Sequence, residues 1–264
     1  MTAMTATAAE PSWHRKPASR GARIARAIVA WVAAALVLVI VGFLVWANTY
    51  MEAERAPLDS VWADPAVSIS DRGDSVVLAP TGEASGVGLV FVPGARVDAY
   101  AYLYKLSGVV AAAGVTVVVT KPILNLAFFD QRPLSTFTSQ APAVTDWYVG
   151  GHSLGGVRAC QYATDPAVKG LVLLGSYCAN DLSTTDLAVI SLSGSEDGLS
   201  TPQKVSDARH LLPADATMTE IAGANHARFG DYGPQPGDGT ATIGTSRMRD
   251  EVTAGLSGFW GGDD

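Results

Sequence analysis

The residues with the clearest chemical potential lie at 150–156, where the chain reads Gly-Gly-His-Ser-Leu-Gly-Gly after a short apolar run. The spacing matches the pattern G-x-S-x-G, which is typical of a serine nucleophile on a sharp turn between a strand and a helix. Gly151 and Gly155 leave room for that turn because they carry no side chains. The helix that follows directs free N–H groups and the positive end of its dipole toward developing negative charge. The pattern therefore predicts Ser153 as a nucleophile.

A serine nucleophile needs a general base, and the chain has 4 histidines. His14 lies in the N-terminal tail, and His152 adjoins the nucleophile with its side chain expected to point the other way. His210 falls in a stretch typical of a surface helix. His226 follows an apolar segment that we expect to form the last strand, and a loop there lets the ring reach the serine Oγ. Elimination therefore predicts His226 as the base.

The carboxylate that orients the histidine is expected at the end of the strand before that loop. Residues 187–192 form a β-rich run and are followed by Ser-Gly-Ser-Glu-Asp-Gly. Asp197 fits the place of the acid best, and the adjacent Glu196 stays open as the alternative. In either case the carboxylate orients the imidazole and stabilises its protonated form without taking the proton itself.

An oxyanion that forms at a substrate carbonyl needs two N–H donors. The first is the backbone N–H of Leu154, the residue after the nucleophile. The second is expected from the loop after an earlier strand at 87–92, which continues as Pro-Gly-Ala-Arg and offers the N–H of Ala95. The neighbouring Arg96 is expected to be solvated, with contact to a substrate carboxylate as the alternative.

Several segments resemble one small bacterial branch of the α/β-hydrolase superfamily, described as a fold-5 or dienelactone-hydrolase-like group. The likeness spans about residues 60–261 and rests on four segments: Pro-Gly-Ala-Arg-Val-Asp-Ala-Tyr-Ala-Tyr, Asn-Leu-Ala-Phe-Phe-Asp, Gly-His-Ser-Leu-Gly-Gly and Asn-His-Ala-Arg-Phe-Gly-Asp-Tyr-Gly-Pro-Gln-Pro-Gly-Asp-Gly. In that family the acid stands immediately before a glycine, which is the place of Asp197. The resemblance implies a triad of Ser153, Asp197 and His226, and it implies no particular substrate. One departure is Ala95, where related sequences often have a second glycine.

Strands and helices are expected to alternate through most of the chain. Strands are expected near 67–70, 76–79, 87–92, 115–120, 147–151, 170–175, 187–193 and 217–221, and helices near 98–113, 153–163, 202–212 and 245–259. This alternation predicts an α/β fold with a doubly wound, mostly parallel sheet and a site at the carboxyl ends of its strands. Because the connection from Gly175 to Leu187 is short, the sequence predicts no cap domain over the site.

Residues 27–47 are uncharged and mostly apolar, which is long enough to cross a bilayer core of about 30 Å as a helix. We expect a transmembrane anchor over 22–47 rather than a cleaved signal peptide, whose apolar core usually has about 7–15 residues. Basic residues dominate before this run and acidic residues after it, so the positive-inside rule places the N-terminus in the cytoplasm. The sequence thus predicts a disordered basic tail at 1–21, a linker at 48–66 and an extracytoplasmic domain at 67–264 on the cell membrane.

The charge of the chain limits its partners. The 18 basic and 25 acidic residues become 13 and 24 once those up to Arg26 are set aside, a net charge of −11. This argues against nucleic acids and anionic lipid surfaces as partners. No zinc or nucleotide motif is present, so we expect no metal and no cofactor. Acidic oxygens in the turn-rich loop 231–239 suggest calcium, but without EF-hand spacing we expect a rigid loop that holds His226.

The chain has 2 cysteines, Cys160 and Cys178, and both lie in the expected outer domain, where a disulfide is permitted. Cys160 is expected about 10 Å below the serine turn along its helix, at 1.5 Å per residue. Cys178 follows a strand and is expected nearer the top of the domain. Two separate buried thiols are therefore favoured, and pairing stays open.

Together these features predict a membrane-anchored serine hydrolase that acts on a small acyl substrate through an acyl-enzyme. A carboxylic ester is the favoured substrate, with lactones and thioesters behind it. Acyl transfer to an envelope sugar or alcohol is an alternative, because the same acyl-enzyme serves both reactions. A non-catalytic binding protein on the same fold conflicts with the complete triad, and peroxide chemistry on that triad is a further alternative. The natural substrate and the oligomeric state stay open.

Overall fold

The computed structural model describes residues 19–261. Most of the tail predicted at 1–21, namely residues 1–18, lies outside the described residues. The chain divides into two compact units, Met1–Val45 and Trp46–Asp264. The first unit contains most of helix α1, Arg20–Asn48.

Helix α1 is the one helix among the described residues that is long and apolar enough to cross a membrane. Its most apolar window has a mean hydropathy of 3.0, and none of that window is buried. Most of its large apolar side chains are exposed, among them Leu38 at 72%. Length and composition are equally compatible with a membrane anchor and with a signal sequence.

The second unit is built on one eight-stranded sheet with the order β1-β2-β4-β3-β5-β6-β7-β8. Its strands are β1 Val67–Asp71, β2 Ser75–Pro80, β3 Val87–Val92, β4 Thr116–Thr120, β5 Asp146–His152, β6 Val168–Leu174, β7 Ala188–Gly194 and β8 Thr217–Ile221. Strands β1 and β2 pair antiparallel, as do β2 and β4, and every other neighbouring pair is parallel. The predicted α/β class with a mostly parallel sheet is confirmed.

Helices cover both faces of this sheet. They are α2 Arg55–Trp62, α3 Leu103–Ala113, α4 Ser135–Thr138, α5 Leu154–Tyr162, α6 Pro202–Asp207 and α7 Thr245–Trp260, with short 3₁₀ turns that include Ala99–Tyr102, Ala208–Leu211 and His226–Phe229. Local signals fix several ends. The Thr201 side chain accepts from the N–H of Lys204 at the start of α6, and Gly114 ends α3 in the left-handed region.

The core follows the alternation of side chains along buried strands. Leu89 and Phe91 of β3 pack on the face that carries α3 and α7. Val90 and Val92 of the same strand pack on the opposite face, which carries α5. Both faces are covered, so the parallel strands read as continuous apolar runs.

Two connections determine how open the carboxyl end of the sheet is. The segment from β4 to β5 carries α4 and two 3₁₀ turns, which the sequence patterns did not predict. Residues 175–187, between β6 and β7, contain no helix or strand, so the predicted absence of a cap domain agrees with the fold.

Residues 48–66, predicted as a linker, carry α2, whose Val61 lies in the core.

Cys160 and Cys178 form a disulfide with a Cα–Cα distance of 5.6 Å, whereas the sequence favoured two separate thiols. The expectation failed because the loop after β6 runs back down along α5 instead of staying at the top of the domain. Asn180 in this loop donates to the carbonyl of Cys160 at 3.1 Å. The Ser176 Oγ donates to the carbonyl of Ser153 at 2.7 Å, so the disulfide joins two segments that also meet at the serine turn.

We predict that reducing this disulfide in the full-length protein in detergent lowers the thermal midpoint by roughly 6–12 °C. The bond closes a loop with a sequence separation of 18. A disulfide that closes a loop of this length contributes about 3 kcal/mol to the free energy of unfolding. Each 1 kcal/mol shifts the thermal midpoint of a domain of this size by about 2–4 °C. The double variant Cys160→Ser/Cys178→Ser should melt at the reduced midpoint and should not respond to reductant. Equal responses of both proteins to reductant would contradict the prediction.

Candidate active site

Ser153 lies at the turn between β5 and α5 with φ 53° and ψ −126°, a strained conformation for a residue with a side chain. The turn is possible because its neighbours are glycines. A Cβ on Gly155 would overlap the carbonyl oxygens of Val92 and Pro93, and one on Gly151 would overlap the backbone of Gly155. The half-buried serine therefore stands on the sharp strand–helix turn that the motif predicted.

His226 and Asp197 meet beneath the surface. The Nδ1 of His226 and the Oδ2 of Asp197 are 2.8 Å apart, and the two side chains are 1% and 0% exposed. The other oxygen, Oδ1, accepts from the N–H groups of Leu199 and Ser200 at 2.8 and 2.7 Å. The Glu196 side chain is exposed and contacts Ser195, so the carboxylate placed against the histidine is that of Asp197.

The second nitrogen of His226, Nε2, is buried and has no hydrogen-bond partner within the described residues. Because Nδ1 donates to the carboxylate, Nε2 carries a free lone pair and can accept a proton. The described residues thus include no hydrogen bond from the Ser153 Oγ to Nε2. Such bonds are often long in proteins without substrate.

The two predicted oxyanion donors lie in segments that pack together. Val92 and Pro93, which precede Ala95 after β3, contact the first turn of α5 at Gly155. The N–H groups of Ala95 and Leu154 donate to no acceptor within residues 19–261. Two free N–H groups at the start of a helix and in the loop beside it are suited to stabilising a negative oxygen.

A cavity of about 240 Å³ opens next to Ser153. Its lining comprises Ser153, Leu154, Val157, Ser176, Tyr177, Leu199 and Ser200. Val157, Tyr177 and Leu199 give it an apolar side, and the serines give it a polar one. Ligand pockets commonly measure about 300–1,000 Å³, so this one suits a small group.

A family model described as the alpha/beta hydrolase family matches residues 88–250, which include Ser153, Asp197 and His226. The match covers more than half of the chain. The chain belongs to the alpha/beta hydrolase family. The resemblance inferred from the motifs is thereby confirmed at the level of the superfamily. A search of curated proteins finds no match.

Solved structures show the same fold at low identity. The esterase domain of a Rhodothermus marinus protein is 13% identical, with a TM-score of 0.53, and the match covers 74% of this chain and 98% of that one. A predicted CIB-like hydrolase from Thermoplasma acidophilum is 10% identical, with a TM-score of 0.51 and coverages of 72% and 97%. An alpha-beta serine hydrolase homologue from Coxiella burnetii is 12% identical, with a TM-score of 0.50 and coverages of 73% and 97%. These likenesses show the fold.

A buried chain of hydrogen bonds, absent from the sequence-based expectations, links three loops of this α/β hydrolase. His152 Nε2 lies 3.1 Å from the carbonyl oxygen of His226, which can only accept, so Nε2 carries the proton. His152 Nδ1 therefore accepts from the Tyr102 hydroxyl at 2.9 Å. The Tyr102 oxygen in turn accepts from the N–H of Gly94, the residue before Ala95, at 2.9 Å.

The sequence analysis expected the His152 side chain to point away from the site, and this was wrong. The His152 ring packs against that of His226, with the ring centroids 4.4 Å apart. Burial, with a smaller contribution from His226, holds the pKa of His152 well below its usual value. A neutral ring with one donor and one acceptor is what the chain of hydrogen bonds requires. The buried Tyr102, 50 residues away along the chain, gave no local signal for this contact.

Asp238 is a second residue whose position the sequence did not predict, although its loop was expected to hold His226. Its carboxylate accepts from the N–H groups of His226 at 3.0 Å and Ala227 at 2.9 Å. It also accepts from the N–H of Gly198, next to the acid, at 3.1 Å. One carboxylate thus joins the loop of His226 to the loop of Asp197. A hydrogen bond to an ionised acceptor contributes about 1.5–3 kcal/mol to the free energy of unfolding.

The other acidic residue of this loop, Asp231, is also engaged within the protein. Lys105 of α3 forms a buried ion pair with it, and Thr245 at the start of α7 donates to the same oxygen at 2.6 Å. Burial is the main cause that lowers the pKa of Lys105. Among the residues that the structure describes, no group of three or more histidines, cysteines and acids is placed to hold a metal ion.

We predict that acid weakens folding partly through His152. Its pKa is depressed in the folded protein, so below about pH 6.5 the unfolded chain binds a proton that the folded protein does not. Between pH 7.5 and 5.5 this lowers the free energy of unfolding by about 1.4 kcal/mol. Urea unfolding at both pH values should show that loss in the wild type and in the control His210→Gln, whose ring is exposed. His152→Gln should lack it, and an equal loss in all three proteins would refute the assignment.

We predict that Asp238→Asn lowers the kcat of this hydrolase about 10- to 100-fold while KM stays within about twofold. In the variant, the amide NH₂ group replaces a carboxylate oxygen and faces backbone N–H groups that it cannot bond. The loop of His226 is then displaced, and a displacement near 1 Å can lower the rate up to about 100-fold. The matched control is Asp215→Asn, at an exposed turn, which should retain wild-type rates. A loss confined to KM, or a loss that follows the thermal midpoint alone, would argue against a role in holding the base.

Proposed function

We propose that this α/β hydrolase is a serine hydrolase that cleaves a carboxylic ester, lactone or thioester through an acyl-enzyme. The observation that carries the proposal is the buried pair of His226 and Asp197, 2.8 Å apart, with the second ring nitrogen unpartnered among the described residues. Ser153 on its strained turn supplies the nucleophile. This combination of roles defines the triad mechanism on any fold.

In the proposed mechanism the His226 Nε2 takes the hydroxyl proton as the Ser153 Oγ attacks the substrate carbonyl. The carbonyl oxygen becomes an oxyanion and accepts from the N–H groups of Leu154 and Ala95. Asp197 keeps its negative charge and stabilises the imidazolium. The ring then returns the proton to the leaving alcohol, and the acyl group stays on the serine. Water, deprotonated by the same ring, attacks the acyl-enzyme and releases the acid.

The proposed substrates carry a small group on one side of the reacting carbonyl. The cavity of about 240 Å³ beside Ser153 has room for a short acyl or alcohol portion. Because the connection from β6 to β7 adds no cap over this end of the sheet, the remainder of the substrate can extend into solvent. These features favour short-chain or extended esters over long lipid tails.

The proposed location is the outer face of a cell membrane, with most of the predicted anchor 22–47 in the bilayer and the N-terminus in the cytoplasm. The length and hydropathy of α1 support an anchor. The excess of basic residues before the apolar run supports this orientation. The Cys160–Cys178 disulfide supports an oxidising compartment for the domain. The proposal includes no nucleic acid partner and no cofactor.

The proposed function predicts one covalent adduct when the full-length protein in detergent reacts with a fluorophosphonate probe, as read by intact mass. Ser153→Ala should give no adduct and should lose ester hydrolysis at least about 1,000-fold, because the nucleophile is absent. His226→Ala should lose hydrolysis to a similar extent. Ser206→Ala, which removes an exposed hydroxyl on α6, is the matched control and should react like the wild type.

Absence of the adduct in a folded wild-type protein would refute the proposed nucleophile and favour a non-catalytic binding role. Turnover retained by Ser153→Ala would refute the acyl-enzyme. Product analysis with added alcohols separates hydrolysis from acyl transfer, since a transferase forms a new ester in preference to the free acid. An ester series of increasing acyl length tests the small cavity.

A further inference from the structure

The last residues of α1, together with the segment that joins α1 to α2, pair with the loop that carries the proposed second oxyanion donor. We call residues 46–54 the strap, and residues 94–98 the oxyanion loop. The Met51 N–H donates to the carbonyl of Arg96 at 2.7 Å. The Asp98 N–H donates to the carbonyl of Met51 at 3.0 Å. Met51 and Val97 thereby form a parallel β-bridge, so one residue of the strap satisfies two backbone groups of the oxyanion loop.

The strap also binds the Arg96 side chain, which the sequence analysis expected to be solvated. The Arg96 guanidinium group donates to the carbonyl of Thr49, with Nε at 2.9 Å. Its Cζ lies 4.6 Å from the centroid of the Trp46 ring, within the range of a cation–π contact. Both partners of the arginine side chain are therefore residues of the strap.

The conformation of Arg96 explains why the oxyanion loop needs such support. Arg96 has φ 57°, in the left-handed region that residues with side chains rarely adopt. A conformation of this kind costs about 1–3 kcal/mol and persists only where its surroundings hold it. Arg96 directly follows Ala95, and its N–H shares a peptide plane with the Ala95 carbonyl, so contacts that hold Arg96 also restrict how the Ala95 backbone can turn. The contacts that hold Arg96 therefore also orient the donor.

The far side of the oxyanion loop completes the arrangement. The Arg96 N–H donates to the carbonyl of Asn125 at 2.7 Å. The Asn125 side-chain amide donates to the carbonyl of Ala47, in the strap, at 3.2 Å. Arg96 is thus bonded to the strap directly and again through Asn125.

The other end of the strap reaches the loop of the catalytic base. The Glu54 N–H donates to the carbonyl of Asp231 at 2.7 Å. Asp231 lies just beyond the turn that begins with His226, and its own N–H donates to the carbonyl of Ala101 at 2.7 Å. The strap therefore contacts the loops of both the second oxyanion donor and the base.

We propose that the strap is a positioning element of the active site, which holds the Ala95 N–H in the direction that stabilises the oxyanion. This rests on the proposed function, because it assigns a role within the same reaction. A fragment that begins at Ala56 lacks the strap and would have a disordered oxyanion loop. The segment that joins the apolar helix to the domain is then required for the chemistry and not only for attachment.

The test compares Met51→Pro with Met51→Ala in the full-length protein. Proline removes the N–H that bonds Arg96, whereas alanine keeps both backbone bonds and removes only the side chain. We expect Met51→Pro to lower kcat for ester hydrolysis about tenfold or more, with KM within twofold. Loss of one oxyanion donor lowers kcat about 100- to 1,000-fold, and a misdirected donor lowers it by part of that factor. Met51→Ala should stay within about threefold of the wild type.

Affinity for a trifluoromethyl ketone separates positioning from general damage, because this inhibitor forms an oxyanion on the serine. We expect its affinity to fall by the same factor as kcat in Met51→Pro. An unchanged kcat in folded Met51→Pro would overturn the proposal, as would an equal loss in Met51→Ala. If Met51→Pro does not fold, Arg96→Met serves instead, since it removes the bonds to Thr49 and leaves Met51 intact. Wild-type rates and inhibitor affinity in that variant would also overturn it.

Failure of the proposed function gives a different result. A wild-type protein without a fluorophosphonate adduct would refute the serine hydrolase and leave the strap to be tested by amide hydrogen exchange. In that experiment Met51→Pro should exchange the amides at 96–98 at least about tenfold faster than Met51→Ala. Equal exchange in the two variants would refute the strap independently of any reaction.

Discussion

A carboxylate and an imidazole buried against each other constrain the rest of the site. The side chains of Asp197 and His226 are almost completely withdrawn from solvent, so the protein must replace the water that each would otherwise bind. Two backbone N–H groups after Asp197 satisfy one oxygen, and His226 satisfies the other. Only the second nitrogen of the ring is left without a partner among the described residues. Each side-chain oxygen and nitrogen of this pair thus has a partner except His226 Nε2, the atom that the proposed mechanism uses as the base.

Such a pair requires that the loops carrying it do not move apart. The parallel sheet brings the loops after β3, β5, β7 and β8 to one edge, but it does not fix their conformations. Buried polar groups between the loops do so. His152 and Tyr102 join the serine turn to the oxyanion loop and to the loop of the base. Asp238 joins the loop of His226 to the loop of Asp197 through the N–H groups of His226 and Gly198. Asp238 has backbone partners on two loops, whereas His152 and Tyr102 each bond one backbone group and each other, so these side chains restrict the distances between the loops.

The sequence predicted the parts of this site that depend on local rules. The position of Ser153 on a sharp turn was predicted because such a turn requires glycines two residues away on either side, and Asp197 was predicted beside His226 because a carboxylate before a glycine follows a β-rich run. The sheet was found because buried parallel strands are short, apolar and bounded by turn formers. The order of the strands was not predicted and comes from the structure, in which α6 begins after Thr201 and α3 ends at Gly114.

Contacts between distant segments were not predicted. The pairs of Tyr102 with His152 and of Met51 with Val97 join residues about 50 positions apart, and no periodicity marks them. The prediction of two separate thiols compared the expected position of Cys160 along its helix with that of Cys178 after its strand. The path of the loop at 175–180, which runs beside α5, brings the two cysteines together instead. Such paths depend on which backbone groups find partners in the folded protein. That competition involves the whole loop and its neighbours, and a single sequence does not resolve it.

The connection from the apolar helix to the domain shows how one segment can carry two constraints. A free linker tolerates changes of length, because loop entropy varies only slowly with the number of residues. Here the bridge between Met51 and Val97 fixes the register of the connection against the oxyanion loop, and Glu54 fixes it again against the loop of the base. Inserting or removing a residue between these two points would break one contact or the other. These two contacts therefore restrict the length of the connection.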